Sequence, residues 1–329
     1  MSDGSGPQSA APPPPHVTAE VFAADAFRVT LGAASDAALS DPGQTVPGDR
    51  YRLSPGARPE TLALALGAGP PRLAAGGSIA AAGMTLRLEA EHRLVAEDGE
   101  TVTILALRLA GGPVLLLPLS PLARATEYVL IGSRPATGRV PLPARVTAAF
   151  TLGTAILLAD GTPKPVEHLA PGDRVLTRDN GPRPLRARLH ARLRAAGDGA
   201  PVVFAPGSIG NAAELAVSPY HRILLYRPGT DPGTETTERF VQARHLVDGA
   251  HVRRREGGHA DYFALVFDNH EVIYAEGFPC ESLCVTPAAT SRLPRAMAAD
   301  LARFLPGRDH APRPTPESPR ADLGPFRGA

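Results

Sequence analysis

Hydrophobic and polar positions alternate through much of the first half of the chain, with the period of β-strands. Residues 84–89 (Met-Thr-Leu-Arg-Leu-Glu) alternate as a half-buried strand does. Further apolar runs begin at Thr101 and Val114, and the residues that separate the runs, Glu-Asp-Gly-Glu at 97–100 and Gly-Gly-Pro at 111–113, are typical of turns. The pattern predicts three strands joined by short turns, as in a β-meander.

Shorter apolar runs at 27–31, 51–53 and 62–66 predict additional strands. No segment in this half has helical spacing with capping residues, so we expect a small β-sandwich or barrel-like domain over residues 17–142. Residues 1–16 are rich in proline and alanine, a composition that predicts disorder. This first domain contains no recognisable catalytic motif, and its function stays unknown at this point.

The second half is also rich in strand-like segments, and turn signals divide it. Asp160-Gly161, Pro171-Gly172-Asp173 and Asn180-Gly181 are such signals. We expect a linker near 135–143 and a second β-domain over 147–290. Residues 294–305 predict one short helix that begins at a proline, within a terminal segment, 291–329, that is otherwise expected to be flexible.

Charge and composition change this picture little, but they exclude some classes of function. The 34 basic and 33 acidic residues give a net charge of +1, so neither nucleic acid nor an anionic membrane is expected as a partner. The run Arg253-Arg-Arg255 is interpreted as a solvated loop. Lys164 is the sole lysine, and this preference for arginine favours a GC-rich bacterial source.

Targeting and membrane signals are the next feature of the sequence that bears on function. No segment reaches the roughly 18–20 consecutive apolar residues of a membrane helix. The first residues lack the basic and apolar regions of a signal peptide. The expected location is therefore cytoplasmic, although leaderless export leaves no signal in a sequence.

A motif near residue 150 carries more information. Residues 149–154 read Ala-Phe-Thr-Leu-Gly-Thr, and residues 165–176 read Pro-Val-Glu-His-Leu-Ala-Pro-Gly-Asp-Arg-Val-Leu. Ser-Pro-Tyr-His follows at 218–221, Ala-Arg-His-Leu-Val at 243–247, and Ala-Glu-Gly-Phe-Pro-Cys-Glu-Ser at 275–282. Together these segments resemble the Hint domain, the self-processing fold of inteins and hedgehog proteins, and most of all its bacterial representatives. The resemblance extends from about 150 to 287 and implies a β-horseshoe fold.

The resemblance also implies a chemistry. In an active Hint domain the first residue is a cysteine, whose thiolate attacks the preceding carbonyl carbon and converts the peptide bond into a thioester. A histidine donates to the nitrogen of that bond, and a threonine hydroxyl polarises the amide. No cofactor or metal takes part.

The family's site residues map onto four positions of this chain, one of which has lost its reactive group. Ala149 stands at the nucleophile position, and a methyl group cannot attack a carbonyl. Thr154 matches the threonine of the first block and is expected to be structural. Ser218 matches the second threonine, and His221 matches the histidine. The resemblance therefore implies descent from a self-cleaving domain. Because Ala149 lacks a nucleophile, we expect no cleavage between residues 148 and 149.

Other missing features agree with that expectation. An aspartate of the last block corresponds to Ala264, and the His-Asn pair with which inteins release their C-terminal partner is absent. The alternative function is a non-catalytic binding or structural module that presents the Hint scaffold to an unknown protein or peptide partner. A third hypothesis is that a partner chain supplies the missing group.

Further alternatives concern single residues. Thr151 could replace the nucleophile, but an alkoxide forms far less readily than a thiolate and the residue is offset by two positions. An engineered change at Ala149 is also open, although native loss is favoured. Zinc is a weak alternative, because the spacings of the candidate ligands match no compact metal motif. These candidates are His245, His251, His259, His270, Cys280 and Cys284.

Overall fold

The computed structural model describes residues 16–65, 71–74, 77–79, 83–140, 142–227, 237–311 and 315. The chain divides into two compact units, Met1–Ser120 with Arg124–Pro143 and Pro121–Ala123 with Ala144–Ala329. Both units are built mainly of antiparallel strands, so the all-β prediction is confirmed. Residues 1–15, residue 66 and most of the predicted flexible tail beyond 311 lie outside the described residues.

The described part of the first unit contains eight strands in one antiparallel sheet, ordered β2-β3-β8-β5-β6-β7-β1-β4. Their bounds are β1 His16–Ala23, β2 Phe27–Leu31, β3 Arg50–Leu53, β4 Glu60–Ala65, β5 Leu86–Ala96, β6 Thr101–Leu109, β7 Val114–Pro118 and β8 Glu127–Pro135. The predicted meander is present as the neighbouring strands β5, β6 and β7. The run predicted at 84–89 overlaps β5 from Leu86 onward, and the strand is longer than predicted because buried side chains continue to alternate to Ala96.

The core of this unit consists almost entirely of aliphatic side chains, with one aromatic cluster. Leu88, Leu107 and Leu117 lie in the aliphatic cluster. Phe27 stacks on the ring of Tyr51 with centroids 5.7 Å apart, and Tyr128 packs against the same phenylalanine at 5.8 Å. All three rings are fully buried, so a sequence that lacks tryptophan still fills its core with large groups.

Two sheets form the second unit within the described ranges. Their strands are β9 Ala149–Thr151, β10 Ala155–Leu157, β11 Pro163–Pro165, β12 Arg174–Thr177, β13 Gly181–Pro184, β14 Ala187–Arg194, β15 Val202–Phe204, β16 Leu215–Val217, β17 Arg222–Arg227, β18 Thr237–Gln242, β19 Val252–Arg254, β20 His259–Val266, β21 Val272–Ala275 and β22 Phe278–Glu281. One sheet has the order β14-β20-β9-β16-β15-β19. The other has the order β11-β10-β21-β22-β17-β18, with β12 and β13 joined to it through β21.

The contacts of the segment 165–176, on which the Hint resemblance mainly rests, account for its pattern of residues. Val166 and Leu169 are buried in the core of this unit, and Val175 joins them from β12. Asp173 accepts hydrogen bonds from Lys164 Nζ at 2.7 Å and from the Ala170 N–H at 2.8 Å. Gly172 has φ +96°, a left-handed conformation that strains other residues. The spacing of the motif is therefore the spacing of a hydrogen-bonded turn between two core contacts.

Two α-helices occur in the described residues: α1, Pro287–Thr290, and α2, Arg295–Phe304. Helix α2 lies within the range 294–305 that the sequence predicted, and Pro294 is its N-cap residue. Met297 and Leu301 stand four residues apart on one face and are buried in a cluster with Leu189 of β14. Neither helix is long and apolar enough to cross a membrane.

Because α2 buries one face only, truncating a side chain is expected to reduce the free energy of unfolding more on the buried face than on the exposed one. Met297 is 0% exposed, whereas Phe304 is 52% exposed. Replacing Met297 by alanine is expected to lower the free energy of unfolding by about 2–4 kcal/mol. The matched change Phe304→Ala is expected to cost under about 0.5 kcal/mol. Urea unfolding of the full chain, followed by circular dichroism, compares the two; equal losses would show that α2 is not docked through Met297.

Candidate functional site

Strand β9 begins at Ala149 and lies in the interior of its sheet. Ala149 pairs with Ala264 of β20 on one side, while Phe150 pairs with Val217 of β16 on the other. Ala149, Ala264 and Phe150 are all 0% exposed. The peptide bond between residues 148 and 149 therefore lies at the start of β9, between two buried residues and out of reach of bulk water.

A tight turn brings Ser218 and His221 to Ala149. The N–H of His221 donates to the Ser218 carbonyl at 3.0 Å, which closes a four-residue turn with Pro219 at its second position, where proline is favoured. The Ser218 N–H donates to the Ala149 carbonyl at 2.9 Å, and His221 Nδ1 lies 3.2 Å from the same oxygen. The Ala149 N–H faces Ser218 Oγ at 3.4 Å, a long hydrogen bond.

These contacts differ in one respect from the arrangement that the resemblance implied. The hydroxyl of Ser218 faces the nitrogen of the 148–149 bond, and His221 contacts the carbonyl one peptide further on. Three of the four mapped positions, Ala149, Ser218 and His221, are thus brought together. The roles assigned to them stay predictions.

His221 is fully buried, and its surroundings decide its charge. Burial lowers the pKa of the imidazole, while the Glu281 carboxylate and the Ala149 carbonyl oppose part of that effect. A neutral ring must carry its proton on Nδ1, since a carbonyl oxygen only accepts. Nε2 lies near the Glu281 backbone without a hydrogen bond of good geometry to any described residue. The Phe150 ring packs edge-on at 4.6 Å.

The residue before the mapped nucleophile position has an unusual backbone. Ala148 has φ +48°, the left-handed region that costs an L-amino acid about 1 kcal/mol. It is 2% exposed, so its surroundings hold it there. Within the described residues, Asp36 and Glu276 are the other non-glycine positions with positive φ. The strain falls at the peptide bond that an active Hint domain would break.

The two remaining threonines of the first block have other partners. Thr154 Oγ1 donates to the Thr151 carbonyl at 2.8 Å and so closes the turn after β9. The structural role expected of Thr154 stays a prediction. Thr151 Oγ1, the alternative nucleophile, donates to the Ala216 carbonyl at 3.1 Å on the neighbouring strand. Its hydroxyl is therefore occupied in the sheet.

Sequence reasoning missed a charged cluster around Tyr220, inside the turn. The guanidinium of Arg145 lies 3.8 Å from the centre of the Tyr220 ring, and that of Arg244 lies 4.5 Å from it. The Tyr220 hydroxyl donates to Asp198 Oδ2. Arg145 is four residues before Ala149, and its N–H donates to the Arg292 carbonyl at 2.5 Å. These contacts fix the segment that leads into the site.

The contacts of Glu281, which lies near His221, were also not predicted from the sequence. The Glu281 carboxylate accepts from the N–H of Arg222 at 2.8 Å and from its guanidinium at 2.8 and 2.6 Å. His270 Nε2 lies 3.3 Å from the same carboxylate. Burial alone raises the pKa of Glu281, but Arg222 and His270 outweigh it and hold the pKa at about 2. The motif Ala-Glu-Gly-x-x-x-Glu-Ser contained Glu281, but nothing in it indicated these partners.

The residues of the zinc hypothesis are dispersed. No three of the six side chains considered, all of them described, lie close enough together to bind one ion. Cys280 is buried, which raises the pKa of its thiol, and Cys284 is half-buried and also free. The two cysteines are not joined by a disulfide.

The buried His221 makes stability depend on pH. Its pKa in the folded chain lies below that of the unfolded chain, so below about pH 6.5 the unfolded state binds more protons. The free energy of unfolding should fall from pH 7 to pH 5, with at most about 1.4 kcal/mol per pH unit due to His221. Glu281 contributes a loss only below about pH 4.5. His92 and His310, whose pKa values are also lowered, add to the slope.

Urea unfolding at pH 7, 6 and 5 measures this slope. His221→Gln is expected to reduce it, whereas the exposed His168→Gln is expected to leave it unchanged. A slope that is the same in all three proteins would contradict the assignment of a buried neutral imidazole.

Comparison with known protein families supports the resemblance that the sequence motifs indicated. A family model described as the Hint domain matches residues 148–287. No curated protein matches the chain. The matched segment begins one residue before Ala149 and includes the Ser218–His221 turn as well as Glu281. Residues 148–287 of this chain therefore form a Hint domain.

Proposed function

We propose that this Hint domain descends from a self-cleaving one and no longer cleaves its own chain. The observation that carries the proposal is the side chain at position 149. Ala149 occupies the nucleophile position and offers a methyl group, which has no lone pair with which to attack the Ala148 carbonyl carbon. The hydroxyl of Thr151, two residues further along β9, donates a hydrogen bond to the Ala216 carbonyl.

The surroundings of the 148–149 peptide bond support a loss confined to one side chain. The hydroxyl of Ser218 faces the Ala149 nitrogen, and His221 lies against the Ala149 carbonyl. The backbone of Ala148 is held in a strained conformation. The site is closed to water, so dipoles in it act with little screening. The Ser218 hydroxyl therefore faces the 148–149 bond itself, while the Ser218 N–H and the His221 imidazole contact the carbonyl of the next peptide.

The reaction that a cysteine at position 149 would perform can be written in full. Its sulfur forms a bond to the Ala148 carbonyl carbon, the carbon–nitrogen bond breaks, and the thiol proton ends on the released amine of residue 149. A second thiol then attacks the thioester and takes the acyl group, so the cysteine regains its proton. No oxidant, metal or cofactor is consumed.

Restoring the thiol tests the proposal directly. In Ala149→Cys, dithiothreitol is expected to release a fragment that begins at residue 149, because only the nucleophile was missing. Intact-mass spectrometry over a time course measures the release. Ala148→Cys is the matched control, since it places the same thiol one residue away from the mapped position. An Ala149→Cys protein that stays whole would show that the site has lost more than its nucleophile.

The natural chain is expected to remain intact. Expressed protein should have a mass of 34.3 kDa, unchanged after incubation with dithiothreitol or hydroxylamine. A persistent intact chain supports the role of a non-catalytic β-scaffold that serves a protein or peptide partner. A fragment that begins at Ala149 would overturn the proposed inactivity.

A further inference from the structure

Glu281 is a fully enclosed carboxylate with an unusual set of neighbours. Its side chain is 4% exposed, and it lies at the end of β22, next to β17. Cys280 pairs with Ile223, and this register brings Glu281 to the residues at the start of β17. The carboxylate thereby meets Arg222, which follows His221 directly in the chain.

The contacts of Glu281 are made to both the backbone and the side chain of Arg222. One carboxylate oxygen accepts the Arg222 N–H at 2.8 Å, and the other accepts from Nε at 2.8 Å. That N–H belongs to the peptide unit whose carbonyl is that of His221. The His221 carbonyl accepts the Ala243 N–H at 2.8 Å, and the His221 N–H donates to Ser218. Both peptide groups of His221 are therefore pinned, and Glu281 supplies one of the contacts.

We infer that Glu281 is the positioning residue for His221: it fixes the peptide that follows the imidazole, and it places a negative charge beside that ring inside the core. The inference rests on the proposed function, because positioning matters only for a site built around the 148–149 bond. Glu281 touches neither that bond nor any reacting atom. It acts through His221.

The charges around His221 give this arrangement a chemical consequence. Burial lowers the pKa of the imidazole, Arg222 lowers it further, and Glu281 is the acidic side chain that opposes them. The other titratable groups near Glu281 are His270, Cys280 and Cys284. A carboxylate beside a ring that gives a proton to a leaving nitrogen increases the fraction of the protonated form, and removing it lowers that fraction further.

The natural chain allows a test that needs no cleavage. Glu281→Gln keeps the shape and the acceptor oxygen but removes the charge. With 15N-labelled histidine, the ring signals of His221, assigned by their absence in His221→Gln, are expected to shift, and its pKa is expected to fall by about one unit. Glu271→Gln is the matched control. Glu271 is 1% exposed in the same sheet region, but its carboxylate accepts from Asn180 at 2.7 Å and does not act on His221.

The second measurement uses the thiol-restored chain. In Ala149→Cys, adding Glu281→Gln is expected to slow dithiothreitol-dependent cleavage about tenfold at pH 7 and to move the pH profile toward lower pH. Adding Glu271→Gln should leave both within twofold. Should Glu281→Gln fail to fold, the double change Arg222→Gln with Glu281→Gln removes both charges. Because loss of the Arg222 charge raises the pKa of His221, this double variant is expected to slow cleavage by less than about tenfold.

The outcomes separate the inference from the proposed function. Ring signals and cleavage rates that are the same in the Glu281 and Glu271 variants would overturn the positioning role, while cleavage itself would uphold the latent site. An Ala149→Cys chain that never cleaves would refute the latent chemistry. If the His221 signals nevertheless move in Glu281→Gln and not in Glu271→Gln, the positioning of the imidazole by Glu281 is still supported.

Discussion

The Ala149 carbonyl accepts hydrogen bonds from the Ser218 N–H and lies in contact with His221, and the rest of the second unit is arranged around these contacts. Strand β9 has only three residues, so its position depends on pairing with β20 and β16 on both sides. Unpaired backbone groups at such depth would each cost several kcal/mol. The turn at 218–221 supplies contacts that hold the first residue of this short strand in place.

This dependence explains how a site can persist when its reaction is lost. His221 and Ser218 hold a buried strand end, and Tyr220 between them carries stacked arginines. Removing any of these groups would leave a buried donor or acceptor without a partner. Ala149, in contrast, is a small apolar residue in an apolar cluster and satisfies the core as it stands. Packing therefore preserves the partners of the nucleophile but makes no demand for the nucleophile itself.

The buried carboxylate of Glu281 also depends on its partners, and losing them would cost more free energy because the group is charged. An ionised carboxylate taken out of water loses several kcal/mol of hydration, and a salt bridge recovers this only with good geometry. Arg222 meets Glu281 through its guanidinium and also through its backbone N–H. Such an arrangement adds little net stability over an apolar pair, but it specifies one orientation of the chain at His221.

Much of the architecture could be read from local pattern. The predicted runs at 27–31, 101–109 and 114 onward are strands with the same starts, and the predicted terminal helix is present. The motif at 165–176 indicated the Hint fold through its resemblance to that family, and the structure shows that part of its spacing belongs to one hydrogen-bonded turn. The strained Ala148 had no such signal, since an alanine in the left-handed region is indistinguishable from any other alanine in a sequence.

The sequence by itself determined the strand-rich class of both halves, the Hint segment and the absence of a thiol at Ala149, because periodicity, turn spacing and side-chain identity are local properties. The tertiary structure decided which groups meet: Ser218 and His221 at Ala149, and Arg222 with Glu281, whose positions are 59 residues apart. Those meetings are set by strand register and by the burial of charges. Both depend on how distant segments pair, which no local pattern records.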